Sequence, residues 1–96
     1  MFVTIVEGVV TPDRENALRS AWEATSQGTV PNGFIESSLL KTESGTWRMV
    51  TVWESKEAVM RMRESGRPAA FVMFEQTGAE PSLSTWTVEG RIRAAT

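Results

Sequence analysis

The chain has 96 residues and a net charge of −2, from 10 basic and 12 acidic side chains, with no Cys, His or Tyr. That composition excludes a disulfide framework, thiolate or imidazole metal sites and the commonest general bases. No basic run is longer than Arg61-Met62-Arg63, and no apolar run approaches the ~20 residues of a membrane span, so neither nucleic acid nor a membrane is an expected partner.

The first expected strand is FVTIVEGVV, residues 2–10. It is too short for a signal peptide and is interrupted by Glu7, so a cytoplasmic protein is expected. Thr11-Pro12-Asp13 opens a helix, with Thr as N-cap, Pro at the first helical position and an acid in the first turn. Leu18, Ala21, Trp22 and Thr25 then form one apolar stripe at helical spacing, and Gly28 ends it. Residues 34–43 read as a second strand, joined through Glu43-Ser44-Gly45 to a third at 47–53. Alternation in the third strand puts Trp47, Met49, Thr51 and Trp53 on one face and Arg48, Val50 and Val52 on the other. Both faces therefore carry large apolar groups.

Ser55 is a suitable N-cap for a helix over 56–64, which stops at Ser65-Gly66. Pro68 starts another helical segment with Phe71 and Phe74 facing inward, broken by Gly78 and Pro81. Residues 83–93 read as the last strand. The order is β-α-β-β-α-β, an α+β fold of the ferredoxin-like kind: one domain over 1–96, with a four-stranded antiparallel sheet and helices on one face. Val50, Val52, Trp86, Val88 and Ile92 leave apolar groups for the other face. The simplest cover is the same face of a second copy, a twofold homodimer.

The stretch VPNGFIESSLLKTESGTWRMVTVWESKEAV, residues 30–59, resembles the antibiotic biosynthesis monooxygenase family, the dimeric α/β barrel proteins. The shared features are the Pro-Gly-Phe-type lead-in to the second strand, Pro31-Asn32-Gly33-Phe34 here, the hairpin turn and the Trp-Glu-Ser-x-x-Ala junction at Trp53. The resemblance extends over the first strand and helix. It implies cofactor-free oxygenation of a flat aromatic, quinol or polyketide-like substrate, with no metal or other cofactor. An electron-rich phenolate or enolate passes an electron directly to dioxygen, and the protein binds the substrate flat and stabilises its anion.

The resemblance places Trp53 on the wall of a cavity between sheet and helices. Met49, Thr51 and Val59 are expected beside it, and Leu18, Trp22, Phe71 and Phe74 as lid candidates. Read from the residues alone, Trp53 is equally a core side chain, as are Trp22 and Trp47, and Trp86 is either core or dimer interface. The polyketide-oxidising members place an Asn four residues before this Trp, a Tyr six after it and an Arg further on; here those positions hold Met49, Val59 and Met73 or Phe74. The haem-degrading members place a His on the following helix and an Asn in the first strand; here Met62 or Arg63 and Glu7 or Gly8 stand there. With only Met available as an axial ligand, no haem is expected.

Among polar groups, Arg63 lies one helical turn beyond Val59. It can reach the pocket mouth to stabilise a phenolate, or it belongs with Arg61 to a solvated face paired with Glu57 and Glu64. Glu7 is either a desolvated base in the cavity or a carboxylate paired with an Arg. No phosphate loop, nucleophile elbow or metal-ligand spacing occurs. Three readings follow: an oxygenase, with Trp53 and Arg63 as catalytic candidates; a non-catalytic binder of a small aromatic ligand; and a structural dimer whose pocket is filled by its own side chains. An open apolar cavity of roughly 300 Å³ or more separates the first two from the third.

Overall fold

The β-branched stretch FVTIVEGV forms β1 (Phe2–Val9), which takes an inner position in the sheet. The structure is a computed structural model and describes residues 1–95. A 3-10 turn at Pro12–Arg14 leads into α1 (Glu15–Ser26). Thr11 makes no side-chain cap bond there, so the helix expected from Thr11 begins instead as a tighter turn whose φ Pro12 fixes. β2 (Phe34–Lys41) and β3 (Thr46–Trp53) form the expected hairpin. α2 (Lys56–Glu64), α3 (Ala69–Gln76) and β4 (Ser82–Thr87) follow. The strand order is β2-β3-β1-β4, and every neighbouring pair is antiparallel.

The last strand is shorter than its sequence suggests. It stops at Thr87, which pairs with Phe2 at the very start of β1. Beyond that point β1 offers no backbone to pair with, apart from the Met1 carbonyl, which accepts from the Val88 amide at 3.2 Å. Ile92 is fully exposed and takes no part in a sheet face.

The register decides what each face carries. Thr4, Val6 and Gly8 of β1 sit opposite Thr51, Met49 and Trp47 of β3, and this face receives the helices. Leu18 of α1 and Phe74 of α3 are both at 0% exposure, packed with Val6, Val10, Trp47 and Met49. Gly8 permits the approach of α3: a Cβ there would stand 3.2 Å from a Phe74 ring carbon. Leu18 and Phe74 are therefore core, not lid.

The opposite face presents Val3, Ile5, Val50, Val52 and Trp86, with Val3 placed between Val52 and Trp86. Among the described residues no helix covers it, and Trp86 is 57% exposed, so this Trp is not core. Among the described residues, no helix is long and apolar enough to cross a membrane.

Candidate functional site

The far end of β3 is built by its junction with α2. The Glu54 amide donates to the Gly33 carbonyl at 2.8 Å, and the Ser55 hydroxyl accepts from the Ala58 amide at 3.2 Å. These bonds turn the chain directly from strand into helix, so Ala58 and Val59 land on Trp53. Gly33 is required at this turn. Its φ is +87°, and a Cβ would lie 2.4 Å from the Ala58 Cβ. Trp53 is 4% exposed. Its indole N–H donates to the Thr4 hydroxyl at 3.0 Å, and Phe34 meets its ring edge-on at 5.8 Å between centroids and 85° between planes. The ring is thus held in one orientation.

Between this cluster and the Leu18–Phe74 core the layers do not close. A cavity of about 380 Å³ lies there. Thr4, Val6, Ser37, Met49 and Thr51 form its floor; Trp22 and Thr25 of α1 and Phe71 of α3 form its sides. Val59, Met62 and Arg63 come from α2, with Trp53 beneath them. The loop after α1 contributes Thr29, Val30 and Pro31.

The floor carries a row of hydroxyls. Thr4, Thr51 and Ser37 are successive cross-strand partners on β1, β3 and β2. Ser37 Oγ lies 2.9 Å from Thr51 Oγ1 and 3.3 Å from the Val50 carbonyl, and its single proton serves one of the two. Arg63 is the ionisable residue of the lining, and it makes no ion pair among the described residues.

The other end of β3 is closed and charged. The Trp47 indole N–H donates to Glu15 Oε2 at 3.1 Å, and Lys41 Nζ stands 2.9 Å from the same oxygen. The Arg19 guanidinium and Lys41 ammonium lie over the Trp47 ring at 5.2 and 5.6 Å. The hydrogen bond from Lys41, supported by that from Trp47, holds the Glu15 carboxyl below its ordinary range against the opposing effect of desolvation.

Of the residues expected at a site, the structure brings Trp53, Met49, Thr51, Trp22, Val59, Phe71 and Arg63 to one cavity. Leu18 and Phe74 lie behind it in the core. Glu7 faces away: its carboxylate accepts from Arg48 Nε at 3.0 Å on the opposite side of the sheet, so it is the paired acid and not a cavity base. Thr4, Ser37, Phe34 and Met62 are among the lining residues that the sequence reading does not assign to a site. Ser37 had a signal, since the Glu43-Ser44-Gly45 turn sets a hairpin register that places it opposite Thr51. Thr4 had none, because its partner depends on the register between distant strands. Among the described residues, no group of three or more His, Cys, Asp or Glu could hold a metal ion.

The family described as antibiotic biosynthesis monooxygenase matches residues 1–73. Solved structures share the fold along almost the whole chain. The cofactor-independent oxygenase SnoaB from Streptomyces nogalater, solved as a point variant, is 12% identical over 97% of each chain, with a TM-score of 0.67. Rv0793 from Mycobacterium tuberculosis is 16% identical over 96% of this chain and 98% of its own, with a TM-score of 0.71. A point variant of MhuD, solved with two manganese protoporphyrin IX bound per active site, is 24% identical over 98% of this chain and 100% of its own, with a TM-score of 0.71. At these identities the likeness establishes the fold alone. No curated protein sequence matches the chain.

Proposed function

Because the chain belongs to the antibiotic biosynthesis monooxygenase family, we propose that it is a cofactor-independent monooxygenase acting on a flat aromatic of the phenol, quinol or polyketide kind. The observation that carries this reading is the open cavity of about 380 Å³, apolar in most of its lining and supplied with one cation. A volume of that size lies within the range of small-molecule sites. Trp53, Trp22, Phe71 and Met49 give a planar ring apolar surface on several sides. Arg63 supplies positive charge to a ring oxygen, where it stabilises an anion that gives an electron to dioxygen. The overall change converts a ring CH₂ and O₂ into C=O and H₂O: a C–O bond forms, the O–O bond breaks and the substrate supplies all four electrons.

Oxygen uptake with an anthrone or quinol tests this reading. Consumption is expected, and Trp53→Phe is expected to reduce it and to weaken binding about tenfold, or ~1.4 kcal/mol. No uptake with any such compound overturns the oxygenase. Binding without uptake then favours the second reading, a binder without turnover. That alternative is supported by Met49 and Val59, which stand where the resemblance implies polar groups.

Two further parts belong to the proposal. The apolar face of Val3, Ile5, Val50, Val52 and Trp86 meets its own copy in a homodimer, as a single domain in a cytoplasmic setting. Native mass spectrometry is expected to show twice 10.6 kDa, and a monomer at micromolar concentration removes the dimer. Haem is not the working ligand on this reading, because the lining offers iron only the sulfurs of Met49 and Met62. Titration with hemin is expected to give no sharp Soret shift; a stoichiometric, spectrally defined complex overturns that part.

A further inference from the structure

The lining of the cavity contains hydroxyls, indoles, thioethers and aliphatic groups, and one guanidinium. The lining holds no carboxylate, imidazole, thiol, amine or phenol, the side chains that ordinarily serve as proton acceptors. Among the described residues, no carboxylate belongs to that lining, and Glu54 at the end of β3 is exposed. Glu7 of β1 pairs with Arg48 of β3 on the opposite sheet face. Glu36 of β2 is exposed and sits opposite Val52 on that same face. Glu15 and Lys41 are occupied with Trp47 at the closed end. Glu23 of α1 and Glu57 and Glu64 of α2 are exposed, and Glu75 of α3 pairs with Arg67.

The same lining is well supplied with donors. Thr4 and Thr51 are directly opposed across β1 and β3, both buried and both on the cavity floor. Thr4 Oγ1 accepts from Trp53, so the Trp53 bond does not use the Thr4 proton, and no protein acceptor takes it among the described residues. Ser37 has one proton for two acceptors, Thr51 Oγ1 at 2.9 Å and the Val50 carbonyl at 3.3 Å; when it goes to the nearer, the Thr51 proton points to no protein acceptor among the described residues. Hydroxyl protons on a buried floor, with Arg63 at the edge, make a site rich in donors and without a base.

We infer that this cavity takes its substrate as a preformed anion: an acidic phenol or enol that has already lost its proton in solution, bound through Thr4, Thr51 and Arg63. The inference rests on the oxygenase reading for the fate of the anion, but its binding part stands without turnover. It names the substrate class by acidity. A weakly acidic phenol has no group in the cavity to ionise it, whereas one ionised near neutrality needs none.

The test uses 1,2-dihydroxyanthraquinone, a flat dye whose absorption reddens on loss of its first phenol proton. Mixed with the intact protein, its colour change is expected to move at least one pH unit lower than for the free dye, which corresponds to about tenfold preference for the anion. Thr51→Val and Arg63→Gln are each expected to return the midpoint toward the free value. Arg63→Gln alters an exposed position, so it keeps the test readable if Thr51→Val disturbs the fold. An unchanged or raised midpoint in the wild type overturns the inference. Oxygen uptake gives a second arm. With two anthrones of different acidity, the inflection of the pH profile is expected to move with the substrate. An inflection at one fixed pH for both overturns the inference while leaving the oxygenase standing. A lowered dye midpoint with no oxygen uptake does the reverse.

Discussion

Two tryptophans on the same face of β3, Trp47 and Trp53, have the same 4% exposure, and each donates its indole N–H to a side-chain oxygen. Trp47 donates to a carboxylate and lies beneath two cations; its end of the sheet is closed by α1 and α3. Trp53 donates to a hydroxyl, packs with Ala58, Val59, Phe2, Phe34 and Met62 and borders open space. Burial alone therefore does not separate a structural Trp from one that walls a cavity. The partners of the ring and the volume beside it do.

The comparison breaks most visibly through the residues behind the closed end. Phe74→Ala removes a side chain with no exposed surface and is expected to cost about 3–5 kcal/mol in chemical denaturation. A loss below about 1 kcal/mol would mean that the packed end is as loose as the cavity end. Trp53→Phe is expected to cost less, about 1–2 kcal/mol, because most of the apolar volume is kept and only the bond to Thr4 is lost. If it costs as much as Phe74→Ala, Trp53 is core in the same sense as Phe74 and the distinction fails.

A smaller effect sharpens the contrast through pH. The Glu15 carboxyl lies below its ordinary value of 4.5 because Lys41 and Trp47 hydrogen-bond it. A lowered folded-state value adds stability that is present above the unfolded value and is lost as pH falls through the folded one. Glu15→Gln is therefore expected to lower the melting temperature slightly near neutrality, with the difference from wild type closing below about pH 4.5. No comparable step is expected from Trp53→Phe, since the indole of Trp53 donates to the Thr4 hydroxyl and not to a carboxylate. A difference for Glu15→Gln that persists unchanged to low pH would show that the carboxylate charge is not what holds the closed end.

Much of this arrangement was legible in the sequence. Period-2 alternation put Trp47, Met49, Thr51 and Trp53 on one face, and Ser55 marked where the chain turns into α2. The resemblance around Trp53 pointed to a cavity at that end. Depth was not legible. Leu18, Trp22, Phe71 and Phe74 all have inward helical positions, yet Leu18 and Phe74 fill the core while Trp22 and Phe71 line the cavity. Helical periodicity gives direction but not distance along the sheet, which depends on how α1 and α3 cross it. The length of β4 was hidden for a related reason. Residues 88–93 alternate well enough, but a strand exists only where another backbone is present to pair with it, and β1 begins at Phe2.

β3 has one further consequence. Thr51 faces the cavity and its neighbours Val50 and Val52 face the bare side of the sheet, so the two surfaces are opposite sides of a single backbone. If that bare side joins two copies, ligand binding and self-association become linked equilibria. Whatever factor pairing adds to the affinity for a ligand, the ligand must add to the affinity of one copy for the other. Diluting the protein until it dissociates, with and without ligand, would then measure how firmly the two cavities are coupled through one strand.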